Sequence, residues 1–410
     1  MLKILIVGLN FHPELTGIGK YTGELAAYLV GNGHQVRVIT TPPYYPYWQV
    51  QPGYSGWQYR KENWQGVWVL RCPLWVPSQP SGIKRLLLLF SFALTSFPVL
   101  LGQCPWRPNL ILSIAPSFFN TPFALFTARL SGAKAWLHIQ DFELDAAANL
   151  GFLPANHLMA KLAGWAERWL LGRFDQISTI SSRMLARLAK KGVALEKTFL
   201  FPNWVDTGLI FPLSASQKPL KKEWNIPDDK IIVLYSGNMG HKQGLENVIK
   251  GARHLQVQAK IHFVLCGTGA LRSDLESDAK GLPNVQFLPL QPLEKLNQLL
   301  NIADIHILPQ RADAADLVMP SKLSGILASG KAVIATADSG TEVAEIVGRL
   351  GVVVPPQDAL ALADAILGLA DNPERMRSLG QKGLSWVVEN WSKEKVLNDF
   401  CEYMINHVDI

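Results

Sequence analysis

Cysteine is scarce in this chain of 410 residues, and its four copies, Cys72, Cys104, Cys266 and Cys401, show no C-x-x-C spacing. Neither a disulfide framework nor a zinc site is expected from them, and a reducing cytoplasm fits best. No D-x-D pair occurs and no His/Cys cluster has ligand spacing, so no metal is expected. Basic runs and basic helices of the kind used by nucleic-acid binders are missing. G-x-G-x-x-G is absent too, which disfavours a nicotinamide or flavin dinucleotide. The first residues, Met-Leu-Lys-Ile-Leu-Ile-Val-Gly, hold too short an apolar stretch for a signal peptide and read as a core strand.

What is present fits an ordered globular protein. Hydrophobic residues make up 48% and charged residues 18%, and the length is about two domains' worth. The net charge of +6 suits anionic partners such as nucleotide sugars, lipid phosphates or a membrane face. Apolar strand candidates alternate with amphipathic helices, the pattern of parallel sheets wrapped by helices in an α/β fold. Strands are expected near 3–8, 35–39, 67–71, 109–113, 134–138, 176–180 and 197–201, and again near 231–235, 261–266, 285–288, 305–308, 332–335 and 352–354. The polar, proline-containing stretch from Asn203 to about Lys230 reads as a boundary, giving domains 1–204 and 205–391. A last helix over 392–410 is expected to cross back and complete the first domain.

Two segments break this rhythm. Residues 42–80 are rich in proline and aromatics and read largely as a long ordered loop, whose rings can stack on sugars, rest on a membrane interface or cover a sheet edge. Lys84-Arg85 precedes a nearly unbroken apolar run from Leu86 to Leu101. That run is shorter than the roughly 20 residues of a bilayer span. It reads as a helix shared between core and membrane surface, with a wholly buried helix as the alternative.

The most informative stretch is 235–247, Tyr-Ser-Gly-Asn-Met-Gly-His-Lys-Gln-Gly-Leu-Glu-Asn. A strand breaks at Gly237 and Gly240 into a loop bearing Lys242, and helical periodicity starts near Leu245. Glycine admits a close anion, a helix start offers free N–H groups and lysine adds a charge, so the stretch suits a diphosphate. Ser321 and Lys322, after Pro320, open a second helix that is expected to offer a cap and another cation. Gly17 and Gly19 lie at the exit of the first strand, where either a phosphate site or a mere tight turn fits. Gly267-Thr268-Gly269 reads as a turn between strand and helix. His138, with Asp141, Glu143 and Asp145, stands where open sheets place ligands. These side chains can orient sugar hydroxyls or move a proton, with a structural histidine as the alternative.

Together these residues resemble the retaining glycosyltransferases of the large family four, which have the GT-B fold of two Rossmann-like domains with parallel sheets facing a central cleft. The resemblance covers nearly the whole chain: the Gly17/Gly19 loop, the His138 segment, Pro202-Asn203 and Asp206, the 236–244 loop, Pro320 to Gly330, the 354–358 turn and Trp391-Ser392-x-Glu394. Residues 13–24, 40–46, 138–141 and 235–249 look like the colanic-acid-type exopolysaccharide glycosyltransferases, a group associated with fucosyl transfer.

The resemblance implies an acceptor-binding first domain and a second domain for a GDP- or UDP-linked sugar. Gly17 and Gly19 would touch the donor diphosphate or the acceptor. His138 would hold the donor sugar, Lys242 the diphosphate, and backbone near Leu290 the base. It further implies metal-independent hexosyl transfer to a lipid-linked or glycan acceptor, with peripheral membrane contact at the inner face of the plasma membrane. Two departures stand out. Asn238 replaces an arginine common among relatives, a role Lys322 could take, and the family's glutamate pair is absent, one member falling at Gly325 and the other near Asp316 or Leu317. A nucleotide-sugar 2-epimerase of the same fold, or a non-catalytic sugar-binding scaffold, are the competing readings.

Overall fold

The computed structural model describes residues 1–14, 17–79, 81–116, 119–142, 157–214, 220–312 and 321–408. The expected positions Glu143, Asp145, Asp316, Leu317 and Pro320 lie outside them. Two compact units make up the chain, Met1–Pro202 joined by Leu397–Ile410, and Asn203–Val396.

The first unit is built on β1 (Lys3–Val7), β2 (Gln35–Thr40), β3 (Arg60–Trp64), β4 (Val67–Arg71), β5 (Leu110–Ala115), β6 (Lys134–Ile139), β7 (Gln176–Thr179) and β8 (Thr198–Leu200). They pair in the order β3-β4-β2-β1-β5-β6-β7-β8, parallel except at β3. All six residues of β5, Leu-Ile-Leu-Ser-Ile-Ala, are buried, as befits a strand covered on both faces. Connections from β1 lead to one side of it and those from β5 to the other, so their exits form a switch point where such sheets bind ligands.

β3 corrects the expected long loop. Arg-Lys-Glu-Asn-Trp has no apolar run, and it survives as a charged edge strand, a common device against edge-to-edge pairing. Gln65 and Gly66 both have positive φ, 47° and 79°, the two-residue turn that reverses a hairpin. Glu62 then pairs with the buried Arg71 of β4 across the strands at 2.7 Å. A second correction concerns the apolar helix, which begins at Gly82 and runs 20 residues to Leu101.

The second unit holds β9 (Ile231–Ser236), β10 (Ile261–Cys266), β11 (Val285–Leu288), β12 (Ile305–Pro309), β13 (Ala332–Thr336) and β14 (Val352–Val354), in the order β11-β10-β9-β12-β13-β14 and all parallel. Along β9, Val233 and Tyr235 enter one core cluster while Ile232 and Leu234 enter another, because alternate side chains face opposite sides of the sheet. The switch point here lies between β9 and β12.

Two of the recognised motifs turn out to stitch this unit. Val205 N–H donates to the Trp391 carbonyl at 2.9 Å, and Lys393 N–H donates to the Val205 carbonyl at 2.9 Å. Asp206 accepts from the Lys393 ammonium at 3.2 Å and from the Gly208 N–H at 3.0 Å. Beyond this seam the terminal helix Lys393–Val408 contributes Phe400 to the first unit. Phe400 stacks on Phe201 at 4.3 Å and lies 5.0 Å from Trp136, and Tyr403 donates to Gln176 at 3.0 Å. Phe400→Ala should cost about 3–5 kcal/mol of stability, as for other fully buried phenylalanines. Urea denaturation followed by tryptophan fluorescence measures it.

Candidate active site

The loop leaving β9 is shaped by three glycines. Gly237, Gly267 and Gly269 adopt φ of 142°, 149° and 158°, conformations that L side chains rarely take. A Cβ on Gly267 would collide with the Gly237 carbonyl, and one on Gly269 with the Met239 carbonyl. The β10 exit thus lies flat against the β9 exit, joined by Gly237 N–H to Cys266 O at 2.9 Å, Met239 N–H to Thr268 O at 2.8 Å and Leu271 N–H to Met239 O at 3.0 Å. The Gly267-Thr268-Gly269 turn is therefore a brace for the Gly237 loop.

Against this braced backbone sits Lys322. A Cβ on Gly237 would strike its ammonium, so glycine there makes room for the cation. Lys322 Nζ donates to the Tyr235 hydroxyl at 2.9 Å and lies 4.6 Å from the Tyr235 ring centroid, while that hydroxyl donates on to the Asn238 carbonyl. Burial pushes the Lys322 ammonium down to about 8. Among the described residues no carboxylate pairs with it. A desolvated cation held this way is chemically suited to an anion. Tyr235, which the sequence offers only as the last apolar residue of a strand, was missed by sequence reasoning.

Lys242 lies in the single turn His241–Gln243 and is exposed. Its carbonyl accepts from the Arg311 N–H at 3.2 Å, and the Arg311 guanidinium pairs with Glu246 at 3.2 Å. Arg311 follows β12, so the switch point brings a third cation to the loop that no motif had marked. Asn238 is exposed at the loop's crest. Ser321 is exposed as well and departs from expectation, since its side chain caps nothing and its carbonyl instead accepts from Ser324 at 3.1 Å. Leu290, 64% exposed, follows β11 on a segment tied down by Arg272, which donates to the Leu288 carbonyl at 3.1 Å.

In the first unit, Gly17 begins the helix Gly17–Gly31 with φ 60°. A Cβ on Gly19 would lie 2.7 Å from Glu14 Cβ, so this glycine lets the helix close on a buried acid. Glu14 accepts from Tyr44 N–H and Tyr45 N–H, both at 2.9 Å, and from Asn10 at 2.8 Å. Burial raises its carboxyl above the usual range even though those bonds favour the charged form. This acid fastens the start of the aromatic segment to the β1 exit.

His138 closes β6 and is buried, 5.0 Å from Phe201. Its Nδ1 meets the Ser178 hydroxyl at 2.9 Å and its Nε2 meets the Gln140 amide nitrogen at 3.1 Å, so Gln140 donates and Nδ1 carries the ring proton. Burial holds its pKa down to about 3. The imidazole is neutral near pH 7, a hydrogen-bonding group and not a proton carrier. Asp141, next along, is exposed.

Inorganic pyrophosphate should bind the second unit's loop less well as pH rises through about 8, because the free Lys322 ammonium loses its proton there. Calorimetry between neutral and alkaline pH should show this, with the dependence abolished in Lys322→Met. Tyr235→Phe, which keeps the ring and deletes the acceptor, should weaken binding by about 1 kcal/mol, roughly fivefold.

Comparison with known proteins accounts for both units. Residues 16–204 match the glycosyl transferase 4-like domain, and residues 216–386 match the glycosyl transferases group 1. The chain is 45% identical over 373 residues to WcaI of Escherichia coli (strain K12), a glycosyl transferase named for colanic acid biosynthesis, covering 89% of this chain and 91% of that one. Among solved structures, sucrose-phosphate synthase from Thermosynechococcus elongatus superposes with a TM-score of 0.75 at 18% identity over 99% of both chains. HepE of Anabaena, solved in complex with UDP-glucose, gives a TM-score of 0.67 at 14% identity over 99% of this chain and 100% of that one. With two parallel α/β units, both family matches and this level of identity, the chain belongs to the GT-B glycosyltransferases that pair a glycosyl transferase 4-like domain with a group 1 domain.

Proposed function

We propose that this glycosyltransferase moves a hexosyl group from a nucleoside-diphosphate sugar to a lipid-linked or glycan acceptor in exopolysaccharide synthesis of the colanic-acid kind. Transfer proceeds with retention at the anomeric carbon, without a metal, at the cytoplasmic face of the membrane. The observation that carries this reading is the Lys322 ammonium lodged on the Gly237 loop with no carboxylate to neutralise it among the described residues. The donor is GDP- or UDP-linked, and fucose is the hexose suggested by the narrower resemblance. HepE, of the same fold, was solved with a nucleotide sugar.

In this reading the diphosphate lies along residues 237–242. The bond between the anomeric carbon and the phosphate oxygen breaks as the acceptor oxygen forms its bond on the same face, and the departing phosphate oxygen takes the acceptor proton. Negative charge grows on that phosphate, so fixed donors aimed at it lower the barrier. Lys322 supplies the charge that an arginine gives many relatives at the position of Asn238, and Lys242 supplies a second from the exposed turn. Backbone at Gly237 and Asn238 and the helix start at Ser321 complete the contacts, and the segment at Leu290 borders the base. His138 serves the donor sugar as a neutral hydrogen-bonding group, with Asp141 beside it. In the first unit, the buried Glu14 beneath Gly19 makes the Gly17–Gly19 turn better suited to hydroxyl groups of the acceptor than to a second anion.

A thermal-shift panel of GDP-, UDP- and dTDP-sugars tests the donor. Stabilisation by one base series is expected, and none by any would remove the transferase reading of this site. Lys242→Ala should lower turnover by roughly 10²–10³, about 2.7–4 kcal/mol, as removal of a transition-state charge contact does. The anomeric proton coupling of the product reports retention or inversion.

A further inference from the structure

Arg311 differs from an ordinary surface arginine, because its backbone is fixed from both sides of the second unit's switch point. β12 pairs with β13 along all five residues but with β9 only at Ile305 and His306, so β9 and β12 part beyond that point. Gln310, just past β12, is bound on the β13 side. Its N–H donates to the Thr336 hydroxyl at 2.9 Å, and that hydroxyl donates back to the Gln310 carbonyl at 3.0 Å. Thr336 itself ends β13 and is buried. One residue on, the Arg311 N–H reaches the β9 side and donates to the Lys242 carbonyl at 3.2 Å. The stem of Arg311 then lies against the turn after Lys242. A Cβ on Gly244 would stand 3.0 Å from Arg311 Cγ, and Gly244 holds φ 62°, so glycine leaves the stem its place.

With backbone and stem set, the guanidinium is the part of Arg311 that can change partners. It pairs at 3.2 Å with Glu246, in the first turn of the helix Leu245–His254. The two side chains are 32% and 36% exposed, and ion pairs in such surroundings contribute little to stability. A diphosphate carries more charge than a carboxylate, and its oxygens match the guanidinium fork in pairs. A carboxylate in the first turn of a helix is also favoured by the helix dipole, which would make the pair a simple brace. A brace and an exchangeable pair differ in sign: losing Glu246 weakens the loop in the first case and releases a cation to it in the second.

We infer that Arg311 is a third cationic ligand of the diphosphate, and that Glu246 holds its guanidinium until the arriving anion displaces the carboxylate. The inference rests on the reading of residues 237–242 as a diphosphate site. It gives that site a guanidinium beside Lys322 and Lys242, although Asn238 stands where many relatives carry arginine. The fork comes from the exit of the neighbouring strand instead of the loop itself.

The test titrates inorganic pyrophosphate into the full chain and its variants by calorimetry, with thermal unfolding of each measured alongside. Arg311→Met keeps the stem on Gly244 and the backbone bond to Lys242 but deletes the fork, and should weaken binding about ten- to a hundredfold. Arg311→Lys, which keeps the charge without the fork, should fall between that variant and the wild type. Glu246→Gln should tighten binding about two- to fivefold, the weight of a partly exposed ion pair. In Arg311→Met/Glu246→Gln this gain should vanish. Weaker binding in Glu246→Gln would overturn the inference in favour of a brace. A gain that persists without Arg311 would overturn it in favour of a lost repulsion, and unchanged binding in Arg311→Met would overturn it outright. A wild-type chain that binds no pyrophosphate would remove the diphosphate reading itself, and the inference with it.

Discussion

In the second unit the Lys322 ammonium occupies the space that a side chain on Gly237 would need, and the loop leaving β9 is built around that arrangement. A cation here is costly, since burial drives its pKa down to about 8, and the fold keeps it through one neutral acceptor and one ring, both from Tyr235. There is room for the cation because Gly237 has no side chain, and Gly267, likewise without one, lets the β10 exit lie against the Gly237 carbonyl. An anion arriving at this loop meets a cation already stripped of water, which strengthens the attraction over that of an exposed lysine such as Lys242.

The first unit uses a buried acid in a corresponding place. Glu14 lies under the Gly17–Gly19 turn, where the second unit carries cations, and it spends its oxygens on Tyr44, Tyr45 and Asn10. The aromatic segment, so long and so rich in rings, is ordered because it is tethered at Glu14, at the Glu62–Arg71 pair and along the helix Gly82–Leu101.

Legibility in the sequence followed burial. Strands covered on both faces, such as β5 and β9, are unbroken apolar runs and were placed within a residue or two. β3 escaped because an edge strand is charged by necessity, and the signal that could have found it was the Gln65-Gly66 turn and not its own composition. The motif at Val205-Asp206 and the one at Trp391-Ser392 were recognisable as family features. Their meaning as a seam, with Asp206 bound to Lys393, required coordinates, because the two lie far apart in the chain. His138 was marked by its position at a strand exit, but whether it carries a proton depends on Ser178, Gln140 and the depth of burial, none of which spacing encodes.

The order of residues alone determined the fold class, the two α/β units and the candidacy of the Gly237–Gly244 loop, because hydrophobic periodicity and glycine spacing are local properties that report directly on strands, helices and turns. Tertiary structure decided which cations reach that loop, since Lys322 and Arg311 arrive from distant segments through the strand order, and no local pattern specifies which strands become neighbours.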